Sequence, residues 1–95
     1  MPQAAATVSH RYVVRTPGTC GGRARVDGTR IPVWLVVANV VLGGSTPEEF
    51  QVAYDQLSLA QIHDALSYYY DHRAEIDRDL RDQDAAWPPV RRSSR

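Results

Sequence analysis

The chain has 95 residues and a mass of 10.6 kDa, which is enough for one domain. Hydrophobic residues make up 43% and charged residues 23%, and this excludes a fully disordered or collagen-like protein. The longest apolar run, Ile31 to Leu42, has 12 residues, whereas a membrane-spanning helix needs roughly 20. We therefore expect no membrane span.

The start of the chain and its cysteine content point to a cytoplasmic protein. Residues 1–7 have neither the basic start nor the apolar core of a signal peptide. Cys20 is the single cysteine, so it has no partner for an internal disulfide, which fits a reducing compartment.

The charges are unevenly distributed although the net charge is zero. All 11 basic residues are arginines, and the segments 1–30, 31–90 and 91–95 carry +4, −7 and +3. A nucleic-acid-binding protein with this distribution would have to use its arginine-rich first third. A solvated surface without a ligand explains the distribution equally well.

The first third of the chain predicts an unstructured start followed by short strands. Residues 1–9 are small and polar, and we expect them to be disordered. His10 to Arg15 is β-branched and aromatic and predicts a strand, which a turn-rich loop at 16–22 follows. Asp27-Gly28 predicts a hairpin with a type I′ turn, which needs positive φ at both central residues.

The segment from Pro32 to Leu42 is ambiguous between strand and helix. Its five valines favour a strand by propensity. Its valine spacing, Pro32 at the start and Gly43-Gly44 at the end favour a helix. We favour the helix.

Two capping boxes predict the helices that follow. Thr46 with Glu49 opens a short helix to about Tyr54. Ser58 with Gln61 opens a second helix, which no proline interrupts until the tail, so we expect it to run on to about residue 81. A flexible tail of 82–95 then follows a domain of 10–81. The apolar stripe of the long helix consists of Leu59, Ile62, Leu66, Tyr69, Ile76 and Leu80.

Catalytic and metal-binding patterns are poor. His63 and Asp64 are adjacent on a helix and point about 100° apart, so they form no dyad. His63 and His72 lack the i, i+4 spacing of a metal pair, and Cys20 lacks a second cysteine for zinc. We expect no enzyme, metal, cofactor or small-molecule substrate.

The predicted helices have the order of a helix-turn-helix. In that arrangement the start of the second helix faces the DNA major groove. Ser58 and Gln61 are then candidates for base contacts, and Arg23, Arg25 and Arg30 for phosphate contacts. However, two capped helices with a tight turn also occur in bundles that never contact DNA.

Aromatic residues predict a protein-binding surface. Tyr68 and Tyr70 flank the apolar stripe, and Trp87 lies in the tail as a plausible anchor. We expect a homodimer or another partner chain at this surface, rather than stacked nucleic-acid bases.

Several motifs together resemble domain-of-unknown-function family 433 (DUF433), over about residues 13 to 75. Two departures are Ala24 in place of the usual proline and Tyr54 to Leu57 in place of a "YPxL" turn. The matching pieces are Cys20 to Val33 with its GTRIPV segment, Gly44 to Glu49, Leu57-Ser58, Ile62, and Ala65 to Tyr68.

The resemblance implies a mainly α, three-helix domain of helix-turn-helix type, homeodomain- or winged-helix-like, with a small N-terminal β-hairpin. It further implies a bacterial antitoxin of VapB type that silences a PIN-like ribonuclease toxin and, as a complex, represses its own promoter. The acidic long helix and the tail would then bind a basic toxin. The alternative is a protein-interaction adaptor or homodimeric domain without DNA binding.

Overall fold

The computed structural model describes the backbone of residues 10–86 and the side chains as far as Gln83. Within this range the protein is mainly helical, with a small N-terminal hairpin. The strands are β1 (Val13–Val14) and β2 (Arg25–Val26), and the helices are α1 (Val33–Val37), α2 (Pro47–Ala53), α3 (Leu59–Asp71) and α4 (Arg73–Ala86). The predicted disordered start, 1–9, and most of the predicted tail lie outside the described residues.

Strands β1 and β2 form a small hairpin, and the predicted turn at Asp27-Gly28 lies after β2, where it leads to a bridge between Arg25 and Pro32. Strands β1 and β2 are antiparallel, with Val13 opposite Val26. In the turn after β2, only Gly28 has positive φ, at 81°, so the type I′ prediction is wrong. The reason is a longer loop: the Val26 N–H donates to the Ile31 carbonyl at 2.9 Å, and a loop of that length needs no type I′ turn.

The ambiguous segment is helical, as we favoured. Val33, Val36 and Val37 are buried, because their spacing places them on one face of α1. A wider π-type turn at Ala38–Leu42 extends the helix. The Asn39 side chain donates to the Leu35 carbonyl within this turn, at 2.9 Å.

Both capping boxes are confirmed. The Thr46 hydroxyl accepts from the Glu49 N–H at 3.0 Å, and the Glu49 carboxylate accepts from the Thr46 N–H at 2.9 Å. Ser58 and Gln61 make the same reciprocal pair at the start of α3. These bonds satisfy backbone donors that a helix start leaves free.

The predicted continuous helix is broken at His72, whose φ of −135° and ψ of 48° are not helical. The break turns α4 toward α1, against which it packs, and Ile76 becomes fully buried there. The Tyr69 hydroxyl also donates to Asp77 across the break, at 3.0 Å. Helix α4 continues to Ala86, beyond the predicted boundary at 81.

The core lies between the hairpin, α1 and α3. This arrangement supports the mainly α class with an N-terminal hairpin, and the helix-turn-helix type stays a prediction. No helix in the described range is long and apolar enough to cross a membrane. The buried apolar residues are Ala24, Val26, Ile31, Val33, Val36, Val37, Phe50, Leu57, Ile62, Ala65, Tyr69 and Ile76.

Candidate functional site

The arginines of the hairpin region face acidic residues of α4. The Arg23 guanidinium lies 3.4 Å from Asp79 and 3.3 Å from Asp82. Arg15 lies 3.2 Å from Glu75. Two of the five arginines in residues 1–30 therefore pair with acidic residues of α4, so part of the uneven charge distribution is balanced within one chain.

Asp79 is the buried member of this ionic contact. Burial raises the pKa of its carboxyl group, and the charge of Arg23 lowers it again. One carboxylate oxygen, Oδ2, has no hydrogen-bond partner among the described residues. Arg23 is thus needed to compensate a buried carboxylate, which disfavours its predicted role as a phosphate contact.

The other two arginines predicted to contact phosphate differ in accessibility. Arg25 is bonded internally, because its guanidinium donates to the Thr29 carbonyl at 3.0 Å and to the Thr16 hydroxyl at 2.9 Å. Arg30 is exposed. Of the three predicted phosphate contacts, Arg30 is therefore the most available to a ligand.

Ser58 and Gln61 are occupied by the cap of α3. The Ser58 N–H donates to Gln61 Oε1 at 2.6 Å, and the Gln61 N–H donates to Ser58 Oγ at 3.1 Å. A glutamine that reads adenine uses both atoms of its amide, so this contact would open the cap. Arg23 lies against α4, which follows the C-terminal end of α3, whereas Ser58 and Gln61 lie at the N-terminal end of α3. The observed contacts therefore do not bring the predicted phosphate contact and the predicted base contacts together.

The two tyrosines predicted to bind a partner have different environments. The Tyr68 hydroxyl donates to Glu75 at 2.9 Å, and burial together with this carboxylate raises the pKa of Tyr68 to about 12. Tyr70 is 55% exposed, and the Arg73 guanidinium lies 5.7 Å from its ring centre. Tyr70 is therefore available to a partner, whereas Tyr68 is largely an internal contact. Trp87 lies outside the described residues.

A cluster of side chains around His10 was not among the predicted site residues. His10 Nε2 lies 2.8 Å from Asp71 Oδ2, and its ring packs edge-on against Tyr68 with centres 5.3 Å apart. Asp64 accepts from the Tyr12 N–H at 2.8 Å. The residues joined are more than fifty positions apart, so no local pattern could have revealed them. No group within the described range could hold a metal ion.

Helix α4 is packed on the body along one side and exposed along the other. Its fully buried apolar residue is Ile76, and Leu80 is half-buried. Arg78, Arg81 and Asp82 are exposed. These exposed side chains make the outer face of α4 the best candidate for a partner-binding surface.

Comparison with known proteins gives a family and a structural relative. The family described as "Protein of unknown function (DUF433)" matches residues 13–69. The crystal structure of a DUF433 member protein from Anabaena variabilis ATCC 29413 is similar at 38% identity and a TM-score of 0.68, covering 73% of this chain and 67% of that chain. No curated protein matches the chain. The family match stops at Tyr69, before α4 begins.

Proposed function

We propose, on the premise that the chain belongs to the DUF433 family, that it is an antitoxin-type protein. It binds a PIN-like ribonuclease toxin through α4. The observation that carries the proposal is that α4 faces the body with Ile76 and Asp79 and leaves Arg78 and Arg81 exposed on its other side.

The energetics of α4 favour a partner. Full burial of one isoleucine side chain contributes about 2–3 kcal/mol. An isolated helix shorter than about 12–15 residues is marginal in water, and the end of α4 after Leu80 has no buried apolar residue among the described side chains. A partner chain that covers this end would stabilise it.

The exposed charges of α4 indicate what kind of surface the partner presents. Asp79 contacts Arg23, and Glu75 contacts both Arg15 and Tyr68, so both acidic residues face the body. Arg78 and Arg81 remain exposed. The sequence predicted that this acidic helix binds a basic toxin, but the helix presents arginines outward. We therefore expect carboxylates on the partner, because arginine binds a carboxylate with two parallel hydrogen bonds.

A protein partner is favoured over promoter DNA. The predicted DNA contacts Ser58, Gln61, Arg23 and Arg25 are all bonded within the chain. The alternative of an interaction module without DNA binding therefore agrees better with the geometry than autoregulation does.

The test is affinity capture of the tagged chain from its host, with and without nuclease. The parent should retain a second small protein in equal amounts after nuclease, and the purified chain should inhibit the ribonuclease activity of that protein. Arg78→Glu with Arg81→Glu should weaken the complex at least about tenfold, as loss of two charged contacts implies. Arg30→Glu, an exposed reversal outside α4, is the matched control and should retain the complex.

The opposite pattern would count against the proposal. In that pattern the untreated sample contains promoter DNA and no second protein. The DNA is lost with Arg30→Glu and retained with the variant that carries both α4 substitutions.

A further inference from the structure

We propose that α4 is exchanged between two copies of this chain. In the exchanged dimer, α3 and α4 form one continuous helix, and α4 of each copy packs on α1 of the other. This inference does not depend on the proposed toxin partner.

The junction between α3 and α4 is the first observation. His72 is the single residue between the two helices, and it is neither glycine nor proline. Helical hydrogen bonds continue on both sides of it, because the His72 N–H donates to the Tyr68 carbonyl at 2.9 Å and the Ile76 N–H donates to the His72 carbonyl at 3.1 Å. A change in the backbone of one residue therefore suffices to make the helix continuous.

The sequence on both sides of the junction suits a continuous helix. Residues 59–86 contain no glycine or proline. The apolar stripe continues from Leu66 and Tyr69 to Ile76 and Leu80 at helical spacing. The local sequence thus permits the straight form. The bent form is held by the packing of Ile76 beside α1 and by the bonds from Tyr68 and Tyr69 to Glu75 and Asp77 across the junction.

The contacts of α4 with the body can be re-formed by a second copy. Ile76 fills a core position beside α1, and Asp79 compensates Arg23 of the hairpin. If α4 swung away in a lone chain, both the Ile76 site and Arg23 would lose their partners. An identical α4 from another copy restores the same residues in the same places, which makes exchange an inexpensive route to a dimer. A second copy of this chain therefore occupies the vacated site.

Charge-swap complementation tests the exchange directly with full chains. In one chain Arg23→Asp places an acid opposite Asp79, and in a second chain Asp79→Arg places a base opposite Arg23. Each chain alone should lose helix content and stability. In a mixed exchanged dimer, Asp79 of the first chain lies opposite Arg23 of the second, and the two substituted residues lie opposite each other. Both contacts join opposite charges, so the mixture should recover helix content and sediment as a dimer. A single chain carrying both substitutions is the control that the swapped pair is tolerated.

A mixture that behaves as the average of its two components, while the control chain folds, would overturn the proposal. If the control chain does not fold, the junction variants decide. His72→Leu should favour the dimer and His72→Gly should oppose it, with dissociation constants about tenfold apart, because glycine lowers helix propensity in both chains of the dimer. His63→Leu, at an exposed position of α3, should leave the constant unchanged. Equal constants for the two His72 variants, or monomers at all concentrations in light scattering, would also overturn the proposal.

Discussion

Arg23 shows how a residue that suggests nucleic-acid binding serves the fold instead. Its guanidinium lies beside Asp79, a carboxylate at which burial would otherwise favour the neutral form. An ion pair of this kind adds little when both charges are exposed. Here one member is buried, and removing Arg23 would leave that carboxylate uncompensated.

Arg23→Ala should therefore destabilise the chain by about 2 kcal/mol at neutral pH. The raised pKa of Asp79 means that its folded form resists ionisation. The stability that protonated Asp79 contributes is fully present below about pH 4, the ordinary pKa of aspartate. This contribution is lost as the pH rises toward the pKa of Asp79 in the folded chain. Since loss of Arg23 raises that pKa further, the loss of stability should be larger at neutral pH than near pH 4. Urea unfolding of parent and variant at both pH values measures it.

The double variant Arg23→Ala with Asp79→Asn removes both charges and should recover part of the lost stability at neutral pH. Arg30→Ala, at an exposed position, should stay within about 0.5 kcal/mol of the parent. An equal loss for Arg23→Ala at both pH values would show that the Asp79 charge is not the cause.

At the scale of the helices, the caps separate a structural from a DNA-binding role for Ser58. Ser58→Ala should cost about 1 kcal/mol, because the Gln61 N–H loses its acceptor. Ser58→Asp should keep the stability of the parent, since aspartate caps as well as serine. Thermal unfolding of the two variants checks this, and equal destabilisation by both would argue against the cap as the role of Ser58.

Gly43 is the second element-scale prediction. A Cβ at this position would lie 2.8 Å from the Asn39 carbonyl oxygen and 3.1 Å from that of Ala38. Gly43→Ala should therefore cost about 1–3 kcal/mol by forcing the end of the π-type turn apart. Gly44→Asn is the control, because Gly44 has φ of +81° with open space around it and asparagine tolerates that conformation. Unchanged denaturant midpoints for Gly43→Ala would contradict the close approach.

What the sequence could predict follows from how local each feature is. The capping boxes join residues three apart, and valine spacing defines the buried face of α1, so both were predictable. The break at His72 was not, because it depends on Ile76 packing beside α1 and on the ring of His10 beside Tyr68. The same holds for the site. Arg23 and Asp79 are 56 positions apart, and no local pattern indicates that they pair.

At the scale of the whole molecule, the charges of the hairpin region and of α4 are arranged in relation to each other. The basic hairpin region is compensated by the acidic side of α4, which leaves exposed arginines on the outer side of that helix. The chain is similar to a DUF433 structure, and the family match ends at Tyr69, before α4 begins. The helix that we propose as the partner-binding element therefore lies outside the residues that the family match covers.

The most direct measurement is amide hydrogen exchange of the chain, free and in the complex captured from its host. In the free chain, amides 81–86 of α4 should exchange faster than those of α3, because Asp79 is the last buried residue among the described side chains. In the complex, amides of α4 should become protected while those at the start of α3, from Ser58 to Gln61, stay unchanged. Protection at the start of α3 and around Arg30, with α4 unaffected, would contradict the account and support a DNA-facing surface.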